Sequence, residues 1–186
     1  MPGVEQANPE MPREEKLATA LKLCASFARN LAYYRVARRK EHSHLLDEKK
    51  RANAFWLLAN GNCLDMCVLE WCKLFEKGEK HHWGKIVTDA ARFKEGLLRH
   101  VGLDDGAFQK EIEIVREYRD KWVAHQDVKR SGFYPSLEVP KKAVWFYYAC
   151  IVNEGVNPLI YELPVDLDEA YRQEEGMADA LYQRQI

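Results

Sequence analysis

Residues 55–75 read FWLLANGNCLDMCVLEWCKLF, a run long enough to span a bilayer, and the fold turns on whether it does so. Asn60, Asn62, Asp65, Glu70 and Lys73 interrupt it, and several of these groups are costly at membrane depth. The run therefore reads as a buried helix of a soluble bundle, with no membrane contact. Because it is apolar on nearly every side, it belongs in the middle of a helical assembly. Asn62 and Asp65 share one helical face and need polar partners there.

Working outward, a helix is expected over residues 14–40, with Leu17, Leu21, Cys24, Phe27, Ala28, Leu31 and Tyr34 at three- and four-residue steps. Its basic end, RVARRK at 35–40, complements the negative pole of a helix. The run at 55–75 is the heart of a second helix over residues 46–77. KGEKHHWGK, residues 77–85, is a turn, and a third helix follows over 86–100. After the break VGLDDG at 101–106, Asp104 or Asp105 caps a fourth helix. The loop DVKRSGFYPSLEVP at 127–140 leads to Pro140, which can open a fifth, strongly apolar helix, KKAVWFYYACIVNEGV. A mostly polar helix is expected in DLDEAYRQEEGMADALYQRQ, residues 166–185. No alternating pattern longer than a few residues supports a strand, and there is no internal repeat. The expected fold is all-α, a bundle of four to five main helices. Residues 1–12 read as an arm, 13–160 as the bundle, and 161–186 as a C-terminal extension.

With 186 residues, 47% of them hydrophobic, the chain can bury one sizeable core as a single domain. Charged residues make up 31%, yet the net charge is only −1, so there is no basic coat for non-specific duplex binding. Any contact with nucleic acid must be local. The five cysteines, Cys24, Cys63, Cys67, Cys72 and Cys150, form no CxxC pair and lie in apolar runs, which suits core thiols in a reducing compartment. The opening MPGVEQANPEMPREEK lacks the basic and apolar regions of a secretory signal, so a cytoplasmic location is expected. His42 with His44, and His81 with His82, have no cysteine or histidine partner at a finger-like spacing, and no metal or other cofactor is expected. No GxxxxGK[ST] phosphate loop occurs.

One polar constellation remains, in REYRDKWVAHQD at 116–127. Phe108, Ile112, Val115, Tyr118 and Trp122 define the buried stripe of the fourth helix. Arg119 and His125 flank that stripe on opposite sides, about 120° apart around a regular helix and about 9 Å apart along it. Two arrangements would bring them together. The helix could end near Val123 and free His125, or two chains could share one cleft across a two-fold axis. Lys129 and Arg130 follow directly, and Lys141 with Lys142 opens the next helix, so four cations could surround the mouth of such a cleft and meet an RNA backbone.

Arg119, the polar Asp120, four further residues and His125, within YRDKWVAH, resemble the Arg, four-to-six residues, His motif of HEPN domains. With the upstream FWLLANGNCLDMCVLEWCKLFEK helix, residues 15–160 resemble the abortive-infection type of that superfamily. The resemblance implies a helical bundle that forms a homodimer and acts as a metal-independent endoribonuclease, in a toxin or phage-defence role with a cognate antitoxin as partner. In that reading His125, with an ordinary pKa of about 6.5, takes the proton of a ribose 2′-hydroxyl, which attacks the adjacent phosphate. Arg119 holds the phosphate, and Asp120 orients the Arg or the His. The products would be a 2′,3′-cyclic phosphate and a 5′-hydroxyl end. The alternative is a non-catalytic helical dimer that binds a nucleotide or protein partner through the same groove.

Overall fold

The computed structural model describes residues 12–123 and 134–184. Over them the chain is all-α: α1 (Arg13–Ala37), α2 (Ala54–Phe75), α3 (Ala90–Val101), α4 (Asp105–Tyr118), α5 (Glu138–Asn153) and α6 (Leu167–Gln183). Short 3₁₀ turns join several of these, and the described residues contain no strand. No helix among them is long and apolar enough to cross a membrane.

α1 and α2 form an antiparallel central pair. Asn60 Nδ2 donates to the Tyr34 carbonyl at 3.0 Å, the Cys67 thiol faces the Phe27 carbonyl at 3.7 Å, and Ser26 Oγ donates to Glu70. The partners run in opposite order along the two helices. The core-facing side of α2 carries Leu64, Cys67, Val68, Trp71 and Phe75, all buried. Cys24, Cys67 and Cys72 are buried as free thiols, filling space as small apolar groups.

α2 is less central than its composition suggests. Phe55 is 65% exposed, Leu58 63% and Met66 38%, so one side of this apolar helix faces outward. Hydropathy alone cannot separate a helix buried all round from one with an uncovered apolar face.

Rings tie the remaining helices to α2. Phe75 lies 6.1 Å from Phe108 of α4 and 5.9 Å from Tyr147 of α5, and Tyr147 lies 5.2 Å from Phe93 of α3. α3 meets α5 at Gly96, where an added Cβ would stand 2.7 Å from Phe146 Cζ. α6 packs along α1 through Ala178 and Tyr182 against Val36, Ala37 and Leu45, while its Leu167 and Tyr171 join the main core. Charged pairs reinforce that contact: Arg29 Nε to Glu174 at 2.9 Å and Arg39 Nη2 to Glu175 at 2.6 Å.

The termini of α3 and α4 follow their local chemistry. Gly102 takes the left-handed conformation, φ 76°, that closes α3. Of the two candidate caps for α4, Asp104 is the one used, accepting the Ala107 N–H at 2.7 Å, while Asp105 pairs with Lys94 at 2.8 Å. Asp104→Ala is expected to cost about 1 kcal/mol in a urea melt. An unchanged midpoint would show that the cap is dispensable.

Candidate functional site

The buried stripe of α4 runs through Phe108, Ile112, Val115 and Tyr118 as expected, but Trp122 is only half-buried. The reason is local. From Arg119 to Val123 the helix widens into a π-type turn, so the 3.6-residue spacing stops at Tyr118 and Trp122 rotates off the stripe. The separation of about 120° expected between Arg119 and His125 assumed a regular helix, and that regularity ends where the motif begins.

Tyr118 and Arg119 reach opposite ways along one face of α2. Asp65, Cys72 and Glu76 fall on that face at intervals of seven and four residues. Tyr118 Oη donates to Asp65 Oδ1 at 3.0 Å, which gives Asp65 the partner its position demanded; Asn62 points outward instead. Arg119 turns to Glu76, the residue that ends α2, whose N–H is held by the Cys72 carbonyl at 2.8 Å.

The guanidinium of Arg119 is fully engaged. Nη1 donates to Glu76 Oε2, Nη2 reaches Glu76 Oε1 at 3.3 Å, and Nε donates to Asp120 Oδ1 at 2.9 Å. Nη2 also lies 2.8 Å from Asp120 Oδ1. The side chains of Arg119 and Glu76 are 21% and 17% exposed. Burial works against the charge of Arg119, but the hydrogen bonds to Asp120 and Glu76 outweigh it and hold the group firmly protonated. Beside it, burial pushes the Cys72 thiol up to about 12 despite the nearby Arg119, so this cysteine is no nucleophile near neutral pH.

The other sequence candidates divide. Asp120 bonds to Arg119. His125, Lys129 and Arg130 lie outside the described residues. Lys141 is held against α6, its Nζ 4.3 Å from the Tyr171 ring and 5.1 Å from that of Trp145, whereas Lys142 is exposed. Glu76 was missed because it stands 43 residues from Arg119 in sequence, at a helix end where no periodicity marks it.

His42 and His44 do not act as a pair. His42, wholly buried, bonds through Nε2 to Asp179 Oδ1 of α6 at 2.7 Å. Glu41, His42 and Asp179 offer donor atoms within 4.8 Å of one another, the one such group among the described residues. The His42–Asp179 bond already joins the 40–46 turn to α6, and the Glu41 side chain stays at the surface.

No family model matches the chain, and neither does any curated protein or solved structure.

Proposed function

We propose that this protein is a metal-independent endoribonuclease of the HEPN type, acting as a homodimer in toxin or phage-defence biology. The observation that carries the reading is the Arg119 guanidinium. It sits at the point where α4 widens, largely buried and aligned by Asp120 on one edge and by Glu76 on its forked end. Such a group is pre-organised to hold a phosphate and to stabilise charge growing on it. His125 supplies the base that takes the 2′-hydroxyl proton, a role that comes from the motif resemblance.

The homodimer draws support from α2. Phe55, Leu58, Asn62, Met66 and Lys73 recur at helical steps along its exposed side. Asp65, Cys72 and Glu76 lie roughly 60–100° around the axis from that stripe. A second copy seated on the stripe would bring two Arg119 clusters to the edges of one groove. RNA is the proposed substrate, a cognate antitoxin the proposed partner and the cytoplasm the proposed location.

The second reading, a non-catalytic helical module that binds a nucleotide or protein partner, is favoured by a specific feature. Arg119 is already matched by two carboxylates, as a purely structural ion pair would be. Incubation of single-stranded and structured RNAs in chelator separates the two. The wild type is expected to cut and leave cyclic-phosphate ends, and Arg119→Ala and His125→Ala to lose about 100-fold or more in rate. Intact RNA with the wild type, or undiminished cutting by both variants, sinks the nuclease reading.

A further inference from the structure

A cleft of about 390 Å³ opens between the end of α2, the turn at 83–85, α3 and α4. Phe75, Trp83 and Phe108 line its apolar part, and Lys77, Arg116 and Glu76 are among its polar residues. Lys77 and Arg116 are exposed and in no ion pair among the described residues. Arg119 does not line the cleft. Glu76 does, and it bonds to Arg119 through both carboxylate oxygens.

The geometry points to Glu76 as the displaceable occupant of a phosphate site, with an RNA phosphodiester entering from the cleft to take its place on Arg119. The inference rests on the reading of Arg119 as the phosphate-holding group, and it names where that phosphate enters and what it must move. Carboxylate and phosphate present the same paired-oxygen edge to a guanidinium fork, so one can replace the other on Nη1 and Nη2 while Asp120 keeps Nε. The charges agree. Arg119 carries one positive charge against two carboxylates, so bringing a phosphate to it while Glu76 stays would stack three anions around one cation. Releasing Glu76 restores the present count. Its backbone is fixed at the helix end by the bond to the Cys72 carbonyl, so release requires only side-chain rotation. Lys77 and Arg116, on the same cleft, are available to the freed carboxylate or to the next phosphate along the strand. In the resting protein Glu76 therefore sets the threshold for RNA binding and favours ligands that present a paired-oxygen edge over simple anions.

The test reads binding rather than cleavage. A fluorescein-labelled single-stranded RNA is titrated in chelator over a salt series, and anisotropy is recorded for the wild type, Glu76→Gln, Glu76→Asp and Glu113→Gln. Glu113 lines the cleft without touching Arg119, so Glu113→Gln controls for net charge. Glu76→Gln is expected to bind about tenfold tighter with a salt slope close to that of the wild type, because the same phosphate sits on Arg119 in both and only its competitor is gone. Glu76→Asp, one methylene too short to reach both Nη atoms from the fixed backbone, should fall between, and it decides the matter if Glu76→Gln does not fold. The gain should vanish in Glu76→Gln/Arg119→Ala. Equal or weaker binding by the Glu76 variants, a gain of the same size in Glu113→Gln, a gain that survives loss of Arg119, or no RNA binding by any variant overturns the inference. Its failure is separable from that of the nuclease reading. An Arg119-dependent gain in a protein that cuts nothing keeps the gate and removes the nuclease. Arg119-dependent cutting with binding indifferent to Glu76 does the reverse.

Discussion

Replacing Trp71 by alanine is expected to lower stability by about 3–5 kcal/mol, the range for large aromatic side chains deleted from a core. Trp71 is wholly buried, stacks on Phe75 at 5.1 Å and meets Phe108 of α4 edge-on at 6.3 Å. Its position is where α2 is covered by α1 on one side and by α4 on the other. The hole would border two helix contacts at once, and helices held by several large rings collapse poorly into such a space. Trp71→Phe should cost much less, because it keeps the stack and gives up an indole N–H that makes no hydrogen bond. Urea melts of the three proteins check this; a loss under about 1.5 kcal/mol for the alanine variant would mean that α4 closes the gap unaided.

Glu70 carries the second large effect, and its sign depends on pH. It is 3% exposed in the α1–α2 contact, accepts a hydrogen bond from Ser26 Oγ, and has its other oxygen unpartnered. Burial raises its pKa from 4.5 to about 7, against the opposing pull of the Ser26 bond, Lys73 and Arg29. The folded protein thus prefers the neutral carboxyl. Below pH 4.5 the group is protonated in both states and costs nothing. Between 4.5 and about 7 the unfolded chain ionises first, so stability falls as pH rises through that window and levels off above it. The loss attributable to this one group is roughly 3 kcal/mol. Glu70→Gln, which mimics the neutral form, should therefore gain on the wild type by about that amount between pH 4.5 and pH 8 in paired melts. A difference that stays flat across the window would show that Glu70 is ionised in the fold.

Most of the helical order was legible because it is local. The apolar steps of residues 17–34 and 108–118, the break at Gly102 and the cap at Asp104 each act within a few residues of chain, and the structure places them as the spacing implies. What escaped was set by distant partners. The first helix stops at Ala37 rather than Lys40, and just beyond it Arg38 lies over the rings of Tyr34 and Tyr134 and Arg39 pairs with Glu175 of α6, partners that no local pattern marks. The widening at Arg119 was equally hidden, since the residues through it are ordinary helix formers. At the candidate site, Arg119 and Asp120 could be named from a motif, but Glu76 could be found only by seeing which end of α2 faces α4.

The strapping of α6 onto α1 joins the first and last described helices, with ion pairs that link residues 145 and 136 positions apart. A ribosome therefore releases the α1 partners well before those of α6. Until α6 emerges, Val36 and Ala37 lack their apolar cover and Arg29 and Arg39 their carboxylates, so the nascent bundle carries a sticky, cationic flank over that interval. Closure of this bundle therefore waits on the arrival of α6, however early the helices before it have packed.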